Sequence, residues 1–156
     1  MDAHKSRREF IKGAVLTAAF LSSGKALAGI YDEDEGEESG DEDLLRLQNR
    51  ENPSVGEQKH VPAIEAPGQV KKGRWFDVKV KVGFMKEHPS SRKHWITYIK
   101  LLVNGQEVAK TEFPVGGVSA SSANFRIRLG ETSKIEAIEN CNLHGTWISD
   151  PVTIAV

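Results

Sequence analysis

From residue 59 onward, apolar and polar positions alternate with a period of two. Phe76, Val78, Val80 and Val82 are interleaved with Asp77, Lys79 and Lys81, the pattern of a strand with one buried face. Residues 94–103 form a second run, rich in aromatic and β-branched side chains. It ends in Asn104-Gly105, the strongest short signal for a two-residue hairpin turn, and residues 108–113 return from it. Phe125, Ile127 and Leu129 alternate with Arg126 and Arg128. Residues 135–138 and Trp147-Ile148 are shorter candidates, and Val152, Ile154 and Val156 close the chain. No stretch of this region keeps a helical period. About seven short strands separated by turns predict an all-β domain over residues 56–156, an immunoglobulin-like β-sandwich. Trp75 is expected in its core.

The first 55 residues read differently. Ser6-Arg7-Arg8-Glu9-Phe10-Ile11-Lys12 resembles the twin-arginine export signature. The apolar stretch at 14–21 suits a leader and is too short to span a bilayer, and Ala26-Leu27-Ala28 offers a small-x-small cleavage pattern. No Cys follows that stretch, so lipoprotein processing is excluded. Residues 1–28 are therefore expected to be a signal peptide for a route that exports folded proteins. The mature protein would be periplasmic or otherwise exported, with no membrane span after cleavage. Residues 29–55 are expected to be an acidic linker with no fold of its own. Leu44, Leu45 and Leu47 are expected to form a short helical turn ending before Pro53.

The net charge of −1 conceals this segregation. Residues 29–43 carry nine acidic groups and no basic one, whereas residues 44–156 carry sixteen basic and eleven acidic groups. The folded part is mildly basic, which favours small anions diffusely. No dense Lys/Arg cluster is interleaved with aromatics, so nucleic-acid binding is not expected. A single Cys excludes an intrachain disulfide, a tetrathiolate metal site and a c-type haem motif.

The candidate chemistry lies in what the leader leaves behind: His60, His88, His94, His144 and Cys141. They fall in three loop-like motifs, Lys59-His60-Val61-Pro62, His88-Pro89-x4-His94 and Cys141-Asn142-Leu143-His144-Gly145. Each motif alone is weak, but together they absorb every His and Cys outside the leader. Neutral imidazoles and one thiolate suit a redox-active transition metal far better than calcium or magnesium, which take oxygen ligands. His88 and His94 are six residues apart, a separation of about 20 Å along a strand. The turn-prone segment between them must loop if both are to reach one ion. A blue-copper carrier would need an axial Met beyond the last His, and none follows His144. Structural zinc favours four ligands and more sulfur. A non-catalytic metal-binding or electron-transfer sandwich remains the alternative.

In order and spacing, Gln58-Lys59-His60-Val61-Pro62 and the other two motifs resemble the ligand motifs of the superoxide reductase family, the iron domain of neelaredoxin and desulfoferrodoxin. The similarity runs over roughly residues 56 to 156 and is to the single-iron class. It implies one iron ion held by His60, His88, His94 and His144 in a plane, with Cys141 axial and the position opposite sulfur open. It also implies one-electron reduction of superoxide to hydrogen peroxide as a defence against oxidative stress. Electrons would come from an external small redox protein, rubredoxin-like or a cytochrome, and the protein could be a homodimer or homotetramer. Lys59 matches the lysine beside the open site and is expected to steer superoxide and order a proton-donating water. One departure stands out. Many members carry Glu two residues before the first His, where it caps oxidised iron; this chain has Gln58, with Glu57 one residue out of register. The expectation is that solvent or another group takes the sixth position. Trp95, Trp147 and Pro62 are expected to pack around the site, and Met85 is not an expected ligand.

Overall fold

The computed structural model describes residues 44–156. The leader and the acidic run lie outside the described residues. Among those described there is one short helix and eight strands: α1 (Val55–His60), β1 (Ala63–Glu65), β2 (Phe76–Lys81), β3 (Ile96–Val103), β4 (Gln106–Glu112), β5 (Ser122–Ile127), β6 (Ser133–Cys141), β7 (Gly145–Ile148) and β8 (Val152–Ile154). The strands form two antiparallel sheets, one ordered β1-β2-β5, the other β4-β3-β6-β7 with β8 also pairing with β6. The all-β sandwich expected from the alternation is the observed architecture. No helix among the described residues is long and apolar enough to cross a membrane.

The period-two pattern explains the core. Val78 and Val80 face inward opposite Phe125 and Ala123, while Lys79 and Lys81 face out. Ile99 and Leu101 of β3, with Ile135 and Ala137 of β6, supply the opposing layer, all fully buried. The β3–β4 turn has Asn104 at φ 51° and Gly105 at φ 82°, the two left-handed residues that a tight hairpin requires. One irregularity bears on function. The β3–β6 ladder shifts register between Ile96 and Tyr98, placing Thr97 in a bulge. Ile96 and Ile99 can therefore both face the core although they are three residues apart.

Four features differ from the sequence reading. Strand β1 is too short to show an alternation. Residues 44–54 do not form a helical turn; Leu45 instead bridges Trp147 in parallel, and the helix lies further on, at residues 55–60. His60 accordingly ends a helix rather than sitting in a loop. Trp75 is not core: it is 57% exposed, with the Arg128 guanidinium 5.0 Å from its ring centre. The residue stands just before β2, outside the alternation that buries Val78 and Val80, and the cation–π contact compensates part of its exposure.

Ile99 is fully enclosed between the sheets, so Ile99→Ala should lower the unfolding free energy by about 3 kcal/mol, measured by urea denaturation.

Candidate metal centre

The short helix aims the first imidazole. Ser54 caps it: the Ser54 hydroxyl accepts from the Glu57 amide at 3.2 Å, and the Glu57 carboxylate accepts from the Ser54 amide at 2.6 Å. The other Glu57 oxygen accepts from the Gln48 amide at 2.6 Å. Led by that Gln48 amide and followed by Ser54, these bonds hold the carboxyl down at about 2. One turn later His60 Nδ1 lies 2.7 Å from the Gly56 carbonyl. A carbonyl only accepts, so Nδ1 carries the proton and Nε2 keeps its lone pair for the interior. The His60 ring stacks on Trp147 at 5.2 Å, as expected of a packing residue there.

His88 and His94 come from the loop between β2 and β3. Gly83, at φ 77°, lets this loop turn; a Cβ there would stand 2.4 Å from the His88 amide nitrogen. The segment between the two histidines folds back, with the Ser91 amide donating to the His94 carbonyl at 2.9 Å and the Ser91 hydroxyl accepting from the His94 amide at 3.1 Å. The ring centres end 4.7 Å apart, so the spacing argument for a loop holds. Cys141 ends β6 and is 2% exposed. A three-residue loop and Gly145, at φ 78°, reverse the chain into β7 and present His144.

The four imidazoles close into a ring. Neighbouring centroids are 4.9 Å (His60–His88), 4.7 Å (His88–His94), 4.7 Å (His94–His144) and 4.8 Å (His144–His60) apart, and the His60–His94 diagonal is 6.4 Å. Four nearly equal edges with a longer diagonal describe a closed ring of four imidazoles. Cys141 Sγ lies 3.2 Å from His94 Nε2 and 3.4 Å from His144 Nδ1, and His144 Nδ1 is 3.1 Å from His60 Nε2. The donor atoms of His60, His88, His94 and Cys141 all fall within 4.8 Å of one another. A first-row ion with metal–nitrogen bonds of about 2.1 Å puts opposite nitrogens about 4.2 Å apart, so one ion fits this envelope. His144 points Nδ1 into the same space.

The electrostatics favour a cation held by neutral rings. Burial first, then the other imidazoles, pushes His88 down to about 4; only the Pro89 carbonyl pulls the other way, from outside hydrogen-bonding geometry. Burial also lowers His60 and His94, and the Lys59 ammonium adds to both shifts. Both ring nitrogens of His88 are buried without a hydrogen-bond partner. That is costly for an imidazole unless an ion completes it. Burial pushes the Cys141 thiol up, opposed by the Leu143 and His144 amides.

Two recesses reach the cluster. A cleft of about 420 Å³ is lined by Val55, Gly56, Lys59, His60, His94, His144 and Trp147, so three of the four rings face it while Cys141 does not. A larger groove of about 880 Å³ runs past His88 and includes Lys59, Lys79 and Lys81. Lys59 borders both. Gln58 is turned away, its amide donating to the Pro53 carbonyl at 2.8 Å. Met85 is exposed. The Trp95 indole also points outward, to the Phe113 carbonyl at 2.9 Å.

One buried group was not anticipated. Glu139 is fully enclosed with both oxygens unpartnered, and burial raises its carboxyl to about 9. It shares the inner face of β6 with Ile135, Ala137 and Cys141. Carrying the alternation from Ile135 through to Cys141 would have placed it there.

Two antiparallel sheets ending in a cluster of imidazoles beside a buried thiol present a histidine–cysteine donor set that could hold a metal ion. The chain belongs to the desulfoferrodoxin family, whose model matches residues 52–150. It is 33% identical over 107 residues to a superoxide reductase from Pyrococcus furiosus, covering 58% of this chain and 84% of that protein. It is 35% identical over 103 residues to desulfoferrodoxin from Nitratidesulfovibrio vulgaris, covering 66% and 71%. A solved superoxide reductase (neelaredoxin) from Ignicoccus hospitalis superposes with a TM-score of 0.60 at 28% identity, over 71% of this chain and 94% of that one. Superoxide is the substrate of superoxide reductases, and the family binds iron.

Two predictions follow from the titrations. With the thiol pushed up and His60, His88 and His94 pushed down, the metal-free protein near pH 7.5 holds its site protons mainly on sulfur. Metal binding there should release about one proton, read by calorimetry in buffers of different ionisation enthalpy, and Cys141→Ser should abolish most of it. Release of two or more would show charged imidazoles. Glu139 keeps its proton in the folded chain up to about 9, whereas the unfolded chain loses it near 4.5, so stability falls as pH rises between those values. Glu139→Gln should thus gain more than about 1 kcal/mol over the parent near pH 8. The gain should shrink toward pH 5.

Proposed function

We propose that the cluster holds one iron ion through His60, His88, His94, His144 and Cys141, and that the protein is a superoxide reductase. The observation that supports this best is the two-sided character of the site. The Cys141 thiol is buried and takes no part in the wall of the 420 Å³ cleft, whereas His60, His94 and His144 all line it. Donor chemistry agrees, since imidazole and thiolate select a transition metal over hard cations. Iron(II), held there, would supply one electron to superoxide, which with two protons gives hydrogen peroxide.

The residues of the chain do the rest. Neutral rings leave the charge of the centre positive, and Lys59 adds a cation at the mouth whose field already reaches His60 and His94. An anion is drawn inward by both. Lys59 is also the group placed to order a proton-donating water, because it borders the cleft and the groove together. Trp147 covers one flank by stacking on His60 and donating its indole N–H to the His144 carbonyl at 3.1 Å. Glu57 and Gln58 are both bound to backbone groups, so neither side chain is free to close the accessible face. Solvent would then be left to fill the accessible face of a bound ion.

An external redox protein, rubredoxin-like or a cytochrome, restores the ferrous state. Export by the twin-arginine route puts the protein in the periplasm or beyond, where it removes superoxide before damage accumulates. A homodimer or homotetramer is the assembly this reading favours.

Mixing the ferrous protein with superoxide in a stopped-flow instrument, with iron assayed on the same sample, tests the assignment. Rapid oxidation of the centre with peroxide formed and no dioxygen released is the expected result; protein that binds no iron, or iron that ignores superoxide, overturns it. Lys59→Ala should keep its iron but react about tenfold more slowly at low ionic strength, a gap that salt should narrow.

A further inference from the structure

We propose that Asn142 is a positioning residue for this centre: its side-chain amide fastens the backbone on both sides of His94 to the loop that begins at Cys141. The inference rests on the assignment of the cluster as a metal centre and adds the device that keeps two of its ligands together.

The need for such a device is visible in how the other donors are held. His60 is aimed by its own ring N–H on the Gly56 carbonyl. Cys141 is fixed by the end of β6, and the Trp147 indole holds the His144 carbonyl. The His94 ring touches only the thiol among its hydrogen-bonding contacts, so its direction must come from its backbone. Strand pairing cannot supply it. Ile96 opposite Cys141 is the last pair of the β3–β6 ladder, and the ladder is already disturbed by the bulge at Thr97.

Asn142 takes over where the ladder stops. Its Nδ2 donates to the Lys93 carbonyl at 2.9 Å, and its Oδ1 accepts from the Trp95 amide at 2.9 Å. Its own amide donates to the Trp95 carbonyl at 3.2 Å. These three bonds bracket His94, 47 residues away in sequence from the thiol it faces. Only a short side chain carrying both a donor and an acceptor makes the two arms at once. Asp lacks the donor and would set an oxygen against the Lys93 carbonyl.

The test compares the iron-loaded full chain with Asn142→Ala and Asn142→Asp. Asn104→Ala, at the far end of β3, serves as a control, because the Asn104 side chain bonds only Ser133 and Lys134. Both Asn142 variants should lose iron to a chelator about tenfold faster or more. They should also shift the sulfur-to-iron charge-transfer band. The control should lower the melting temperature with iron release and band unchanged. Asn142 variants that release iron at the parent rate with an unshifted band overturn the inference. If the alanine variant does not fold, the aspartate variant decides on the same two readouts. A parent protein that shows no sulfur-to-iron band defeats the metal assignment itself, and this inference with it, a result distinct from the first.

Discussion

Four imidazoles and a thiol face one another at van der Waals range with almost nothing else to bond. His88 has no hydrogen-bond partner on either ring nitrogen, His60 spends one nitrogen on a carbonyl, and the donor atoms of His60, His88, His94 and Cys141 lie within 4.8 Å of one another. Such an arrangement is unfavourable in a folded protein unless a cation resolves it. The surrounding structure is arranged to hold it together. A capped helix delivers His60, a left-handed glycine bends the His88 loop, a tight Ser91 turn brings His94 back, and a hairpin glycine presents His144. The sandwich provides the rigid edge on which these pieces converge.

The centre is also polarised from inside to outside. Beneath it lie the buried thiol and Glu139, the latter held neutral by its enclosure. Above it the cleft opens to Lys59, and the neighbouring groove adds Lys79 and Lys81. A thiol on the enclosed side, which would become a thiolate on a bound metal, with positive charge on the open side would suit a site that receives an anion. The imidazoles between them carry no charge of their own at neutral pH to the extent that burial lowers their basicity, as it does for His60, His88 and His94.

Much of this was legible in the residues. Alternation places Val78, Val80 and Phe125 correctly because each lies in a strand long enough to show two repeats. Asn104-Gly105 announces its turn because only left-handed residues close a two-residue hairpin. The candidate ligands could be gathered because the folded part holds no other His or Cys. What stayed hidden was short or depended on tertiary context. A six-residue helix shows fewer than two turns, so its apolar stripe never develops, although Ser54 and Glu57 spell a capping box that could have marked its start. Trp75 follows no alternating run, so its hydrophobicity misplaces it. The bulge at Thr97 arises only when β3 meets β6, and the bracket formed by Asn142 has no signal within its own neighbourhood of sequence; Glu139 needed the alternation of Ile135 and Ala137 carried through to Cys141.

The capping box has a consequence of its own. Helix α1 is too short to persist alone, so its integrity depends on the end where Ser54 and Glu57 exchange bonds. That carboxylate already serves the amides of Ser54 and Gln48, and those bonds hold its titration down at about 2. Swinging it onto the centre would unravel the very turn that points His60. In this chain the Glu57 carboxylate is committed to anchoring the helix, and the cleft beside His60 is bordered by the Lys59 ammonium with no acidic side chain in its wall, so its mouth keeps a basic lining.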